Sequence, residues 1–401
     1  MTVYKYVGRT KTGAPKKGTI DAANINAAIT KLREKGINPR QIEESKSILH
    51  KDLNFVGGVK NQDFVIYCRQ FATLIRAGVS IVESTNILAR QTKNKPLKKA
   101  LEEVEEDIRS GLSFSNATVK HPKVFPALFS NMMRSGEATG NIDDTLERLA
   151  NTFEKQYNLK KKVQSTLTYP AVLLFVTILV VFFLLVYIVP TFVSSFEEMD
   201  AQLPMITIVT VAISDWLRDF WWIVILVIFT ALGGFQFLYK SNKEFNYAVH
   251  YMMLKMPVLG PLLQRSTIAR MTRTLSSLFS SAVPILQSLV IVEKVVGDPV
   301  VAKVMVEARE SLEKGSTLTA PLEKSWLFPP LVTSMTSIGE STGSLDYMLE
   351  KIADFYETEV DRAVDTLKSL IEPLMILFLA VIVGFIVAAI MMPMFSLYEQ
   401  I

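Results

Sequence analysis

The sequence predicts an all-α polytopic membrane protein: two repeated cytoplasmic six-helix bundles, three transmembrane helices and a small α+β domain at the N-terminus. Three observations lead there. A polar helical stretch feeding a long apolar run occurs twice in the chain. Those two runs, and a third between them, are free of charged side chains over lengths that cross a bilayer. The charges that flank the three runs are segregated by sign, as they are around membrane-spanning segments.

The first copy of the repeat reads GEATGNIDDTLERLANTFE from Gly136 and runs on to TLTYPAVLLFVTILVVFFLLVYIVP, ending at Pro190. The second reads GESTGSLDYMLEKIADFYE from Gly339 and ends in SLIEPLMILFLAVIVGFIVAAIMMP at Pro393. A constant offset of 203 pairs Gly136 with Gly339, Glu137 with Glu340, Gly140 with Gly343, Pro170 with Pro373 and Pro190 with Pro393. Upstream, RTLSSLFSSAVPILQS from Arg273 matches RQFATLIRAGVSIVES from Arg69 at an offset of 204, and Gly315 matches Gly111 at the same offset. A one-residue deletion in a loop before Phe328 and Pro329 explains the change. Like units have like orientation, so both polar stretches fall on one side of the membrane and the chain must cross back between them. The run Phe220 to Leu238 sits where that return is needed.

In order, residues 1–45 form a small domain. VYKYV alternates as a strand, GAPKKG turns, GTIDA is a second strand, Asn24 can cap a helix that stops at Gly36, and Gln41 and Ile42 begin a last strand. Residues 46–60 are a polar linker with a Gly57–Gly58 pair. The first bundle is 61–169. Phe64, Tyr67, Cys68, Phe71, Leu74 and Ile75 form one apolar stripe at helical spacing, and Gly78 stops that helix. Further helices run from about Ser80 to Gln91, from Pro96 to Gly111, over a short piece 113–119, and from Ala127 to Ser135. Asn141 can then cap a long helix toward the membrane. The first span is 170–193, with Pro170 either starting a new helix or kinking a continuous one.

At 1.5 Å per residue, the 23 uncharged residues 171–193 reach about 34 Å, and 373–395 reach as far, against a hydrocarbon core of about 30 Å. Residues 194–219 are the outer loop, in which LPMITIVTVAI reads as helix at or near the outer surface. The remaining divisions are a second span at 220–239, a second bundle at 240–371, a third span at 372–395 and an outer C-terminus at 396–401. Lys155, Lys160, Lys161 and Lys162 precede the first span, Lys240 and Lys243 follow the second, and Lys368 precedes the third. The loop carries Glu197, Glu198, Asp200, Asp215 and Asp219 against a lone Arg218. The positive-inside rule therefore puts both bundles in the cytoplasm and the loop and C-terminus outside. Cys68 is the only cysteine, so no internal disulfide is possible.

Taken as an ordered set, these segments resemble the inner-membrane platform protein family of type IV pilus and type II secretion machines. The resemblance rests on YKYVGRTKTGAPKKGTIDA, LREKGINP, RQFATLIRAGVSIVES, SGLSFSNA, HPKVFPALF, GEATG, TYP before the first span, VP closing it and LP in the loop. GESTG and IEP return in the second half, where the SGLS segment has become KGSTLTAPL. GINP and HPKVFPALF lean toward the pilus branch; secretion and DNA-uptake platforms share the other marks. The resemblance implies a scaffold that needs no cofactor, hydrolyses nothing and binds no nucleic acid directly. Its partners would be a hexameric assembly ATPase, pilin or pseudopilin subunits, other inner-membrane alignment proteins and further copies of itself.

The residues agree that no enzyme is evident. His50, His121 and His250 lie far apart, and no Gly-rich loop ends in Lys-Ser or Lys-Thr. The spans carry no ionisable group at their centres, which argues against a proton-driven transporter, as do repeats that are parallel rather than inverted. Thr177, Tyr187, Thr230 and Gly384 are their polar or small exceptions, with Gly384 the best placed to pack helix on helix. Glu137 and Glu340, with Gly140 and Gly343, are the candidate interface corners. Each carboxylate either accepts backbone N–H bonds at a helix start or contacts a partner. Pro170 and Pro373, with Lys160, Lys161 and Lys162, are the candidate bundle-to-membrane junction. The lysines would anchor at anionic head groups, at about 1 kcal/mol per charge, or meet an acidic partner.

Overall fold

The computed structural model describes residues 2–10, 15–22, 25–34, 36–44, 58–197, 204–257 and 259–399. The chain divides into two compact units, Met1–Gly58 and Val59–Ile401.

In the first unit, β1 (Thr2–Thr10) is central to a three-stranded antiparallel sheet, flanked by β2 (Pro15–Ala22) and β3 (Ile37–Glu44). Side chains two apart on a strand share a face, so Tyr4 and Tyr6 both meet α1 (Ile25–Glu34), and bury with its Ala28 and Leu32 and with Ile37. Gly36 adopts φ 71° after α1. Residues 15–18, expected in a turn, instead extend β2; Asn24 and most of the expected linker lie outside the described residues.

The second unit is helical throughout. Its first repeat comprises α2 (Asn61–Arg76), α3 (Ile81–Gln91), α4 (Lys95–Arg109), α5 (Phe114–Val119), α6 (Ala127–Thr139) and α7 (Ile142–Phe183). Caps set several of the starts: the Ser80 hydroxyl accepts from the Glu83 N–H, the Asn94 side chain from the Leu97 N–H, and the Ser113 hydroxyl from the Asn116 N–H. Asn141 precedes α7 but makes no side-chain cap. Phe64, Tyr67, Phe71, Phe114, Phe125 and Phe129 interlock in the core, with ring centroids 5.1–6.2 Å apart. Cys68 is fully buried beside them, and burial pushes its thiol pKa up.

After α7 come a π turn at Leu184–Ile188, α8 (Val189–Glu197), α9 (Met205–Ser241) and α10 (Lys243–Lys255). The second repeat is α11 (Leu259–Ser280), α12 (Ile285–Val295), α13 (Pro299–Glu313), α14 (Thr319–Lys324), α15 (Pro330–Thr342) and α16 (Leu345–Glu399). Its core uses the same positions with smaller side chains: Ile268, Met271, Leu275, Leu318 and Val332 stand where the first repeat has Phe64, Tyr67, Phe71, Phe114 and Phe129, all of them buried. Ala282 holds φ 55° at the position where the first repeat has Gly78 at φ 83°, so the tight turn persists even where its glycine is lost.

Among the described residues, three helices are long and apolar enough to cross a membrane: Ile142–Ser194, Met205–Ser241 and Leu345–Met392. The first and third continue without a break from head into span, through Pro170 in α7 and Pro373 in α16. Neither proline starts a new helix. Each removes one N–H from the ladder, leaving the carbonyls of Thr166 and Ser369 without their usual donor.

The structure adds a feature between the first and second spans. Residues 205–219, expected as helix at or near the outer surface, are not separate from the second span. They are the first part of α9, which breaks at Phe220 (φ −120°, ψ 15°) before continuing as the second span. That first part is wedged between the other two spans. The Thr207 hydroxyl donates to the Ala389 carbonyl at 2.7 Å, and the Ser214 hydroxyl to the Leu185 carbonyl, inside the π turn, at 2.5 Å. Leu185, Val189 and Ile386 bury around them. In an apolar setting such hydroxyl-to-carbonyl bonds are how polar groups are tolerated. A Cβ on Gly384 would meet nothing within 4 Å, so no other helix of this chain packs closely against it.

Candidate functional site

Glu137 and Glu340 do not sit in the corners themselves. Glu137 belongs to the last turns of α6, and Gly140 alone makes the bend, with φ 75°. Glu340 is likewise inside α15, with Gly343 at φ 70°. Each carboxylate reaches across to the start of a short helix earlier in its own repeat. Glu137 accepts from the Phe114 N–H at 2.7 Å, the Ser115 N–H at 3.2 Å and the Ser115 hydroxyl. Glu340 accepts from the Leu318 N–H at 2.7 Å, the Thr319 N–H at 3.2 Å and the Thr319 hydroxyl at 2.9 Å. These are the orphan donors of α5 and α14, and an anion is favoured there by the helix dipole. Sequence reasoning had foreseen the chemistry but not the distance in sequence over which it acts. Gly136 and Gly339 allow the approach of the next helix: a Cβ on Gly136 would come within 2.6 Å of the Thr145 hydroxyl, and one on Gly339 within 3.0 Å of the Leu345 Cα.

A second repeated device was missed. In the first repeat Arg69 on α2 binds Glu147 at 2.8 Å, and Asn151 and Glu154 at 2.5 Å, all on α7. In the second, Arg273 on α11 binds Asp354 and Glu357 on α16, the latter at 2.8 Å, with Glu350 at 4.0 Å. The signal was present: Arg69 and Arg273 pair at 204, and the triplets 147, 151, 154 and 350, 354, 357 pair at 203. Each knot ties the first helix of a head to the helix that becomes its stem. Hydrogen bonding to Glu154 raises the Arg69 pKa, and in return Arg69 holds the Glu154 carboxyl below its ordinary value. Burial pulls the Arg273 pKa down, but Glu357 and Asp354 outweigh it and leave it raised. For Asp354 burial pushes upward and is outweighed by Arg273 and Lys155, so its pKa is lowered.

The sign of the pH dependence follows. A carboxyl whose folded pKa is depressed contributes stability above its unfolded value, and loses it as pH falls through the folded value. Both knots are therefore expected to hold at neutral pH and to release as the medium is acidified below about pH 4, the ordinary carboxylate range. Melting of the detergent-solubilised chain across pH 7 to 3 measures this, and Glu154→Gln with Asp354→Asn should flatten the acid limb.

The lysine collar is divided in its duties. Lys155 bridges to Asp354 at 3.0 Å and Glu357 at 3.2 Å, and Lys162 to Asp361 at 2.6 Å, so both tie the first stem to the second. These two are committed to the other repeat rather than to lipid. Lys161 lies 5.7 Å from the Tyr157 ring centroid. Lys160 faces a cleft of about 480 Å³ together with Lys123, Arg270 and Lys294. Pro170 and Pro373 lie further along α7 and α16, beyond the lysines. At the C-terminal end of α9 the Tyr239 hydroxyl meets His250 Nε2 at 2.8 Å, and His250 Nδ1 meets Asp298 at 3.3 Å. Asp298 also caps α13, accepting from the Val300 N–H at 2.8 Å. Among the described residues, no group of three or more His, Cys, Asp or Glu is arranged to hold a metal ion.

Two copies of one helical head, each continuous with its own apolar stem and tied to it by a repeated arginine–carboxylate knot, define a membrane protein built by internal duplication. Family comparison narrows the class. A model described as type II secretion system (T2SS), protein F matches residues 67–190 and again 271–393, and one described as the N-terminal domain of the same protein matches residues 1–43. The chain belongs to the type II secretion system protein F family. It is 37% identical to a type IV pilus assembly protein PilC of Thermus thermophilus over 99% of this chain and 98% of that protein. Against the PilC of Myxococcus xanthus it is 36% identical, over 98% and 94%. Against a type II secretion system protein F of Pseudomonas aeruginosa it is 30% identical, over the full length of both. The repeat found within the sequence and the repeat matched by the family model coincide.

Proposed function

We propose that this chain is the inner-membrane platform of a type IV pilus assembly machine, coupling a cytoplasmic hexameric assembly ATPase to the insertion of pilin subunits into the filament. In this reading the two heads are six-helix bundles on the cytoplasmic side, the C-terminus is outside, and the chain performs no hydrolysis itself. One observation carries it: each head and its span share a single helix, 42 residues in α7 and 55 in α16. A displacement of the head at a partner's surface therefore reaches the bilayer along one helix, bending at the proline that interrupts its ladder. The relatives named for pilus assembly support the choice of machine.

A type II secretion platform acting on pseudopilins is the second reading, favoured by full-length matches to proteins named for that system. Affinity isolation from native membranes separates the two: co-isolation of a hexameric ATPase with pilin supports the first, and with pseudopilins the second. A transporter would bring down neither. Within either reading, replacing Pro170 and Pro373 together by alanine restores the missing ladder bonds and stiffens both stems. Filament assembly should fall while insertion and head folding are kept; unchanged assembly would show that the prolines take no part in transmission.

A further inference from the structure

The two repeats meet through different surfaces. The first repeat offers α6 and α7; the second offers α11, α12 and α16. The Thr152 and Ser277 hydroxyls lie 2.8 Å apart, the Gln287 amide donates to Asn131 at 2.8 Å, and the Ser135 hydroxyl donates to the Ser281 carbonyl. A contact between unlike faces of like units is head-to-tail, and leaves each unit with one face unused.

The unused face of the second repeat lies on α15 and α16. Leu128, 0% exposed, and Thr152, 3% exposed and bonded to Ser277, correspond to Leu331 and Phe355, which are 40% and 45% exposed. The half-buried Ser135 corresponds to Ile338, which is 49% exposed. Two of the three positions have thus become large and apolar where they face solvent, the reverse of what an uncovered head surface favours. The unused face of the first repeat lies on α2. Thr274, Ser277 and Ser281 are buried, whereas their counterparts Gln70, Thr73 and Ala77 are exposed, and Ile66 beside them is 47% exposed.

We propose that a second copy of this chain covers the α15–α16 face with its own α2 face, repeating between chains the contact that the repeats make within one. Each chain carries one of each open face, which is what a head-to-tail contact between copies requires. The ion pairs do not recur. Lys155 and Lys162 are replaced by Thr358 and Asp365, and their partners Asp354 and Asp361 by Asn151 and Asn158. The contact between chains therefore lacks the ion pairs that join the repeats within a chain and is expected to be less sensitive to salt. This inference stands on the internal repeat alone and holds or fails independently of the platform reading.

The test uses the full-length chain in native membranes, with two differently tagged copies co-expressed. Thr73→Cys in one copy and Phe355→Cys in the other, the counterparts of Ser277 and Thr152, should form a disulfide joining the two tags on mild oxidation. It should persist at high salt. Phe355→Asp should abolish co-isolation of the tags, while Thr152→Cys with Ser277→Cys in a single chain still cross-links and shows the heads to be folded. Absence of the Thr73–Phe355 cross-link when that control forms, or co-isolation that survives Phe355→Asp, overturns the proposal.

Discussion

Replacing Arg273 by alanine is expected to destabilise the second head by about 3 kcal/mol, against about 1 kcal/mol for Arg69→Ala in the first. The two knots share an arginine donor and two glutamates, with Asn151 in the first where the second has Asp354, and they differ in burial: the Arg273 side chain is 8% exposed and that of Arg69 33%. A buried guanidinium is held by its partners in low dielectric, and removing it strands carboxylates that were folded around it. In the first repeat water takes over much of the role, so the loss is smaller. Lys155 already bridges Asp354 and Glu357 and keeps them partly compensated in Arg273→Ala, which limits the cost to the lower end of the range for buried pairs. Unfolding of each variant in mild detergent checks this. Equal losses in the two repeats would mean that burial does not set the difference.

Glu137→Ala and Glu340→Ala are expected to cost about 2–3 kcal/mol each, because each leaves two backbone N–H donors and a hydroxyl without their acceptor. The glutamine variants keep one carbonyl acceptor but lose the charge, and should cost about half as much. Charge reversal to lysine separates structure from interface. With a positive group at the helix start, the structural role predicts loss of the folded head, read as protease sensitivity of the region around Phe114 or Leu318. A stable, membrane-inserted Glu137→Lys protein that fails in filament assembly would instead place these carboxylates at a partner's surface.

Most of the architecture was legible because it is written in periods and offsets. Three uncharged runs and two sets of paired prolines read directly as spans and repeats. The short helices α5 and α14 were recoverable from their flanking glycines and capping hydroxyls. What the sequence did not disclose is long-range pairing. Nothing local marks Glu137 as the cap of a helix 23 residues earlier, nor Lys162 as the partner of Asp361. The Arg69 and Arg273 knots were detectable by comparing the two halves, since both ends of each knot recur at the repeat offset. The stretch 205–219 reads as helix at or near the outer surface because it is short and close to Asp215, whereas α9 joins it to the second span. Its Thr207, Thr210 and Ser214 are in fact the buried side, and all three hydroxyls donate to backbone carbonyls. Hydroxyl residues at helical spacing were the available signal.

The same-side placement of the two heads is tested most directly by labelling single cysteines with a membrane-impermeant maleimide in intact spheroplasts. Cys68 is fully buried and stays silent in the folded protein. Lys99→Cys in the first head and Lys314→Cys in the second, both at exposed positions, should be protected until the membrane is permeabilised. Met205→Cys, at a position 81% exposed beyond the first span, should react at once. Labelling of Lys99→Cys and Lys314→Cys from opposite faces would contradict a pair of like heads rooted on one side of the bilayer.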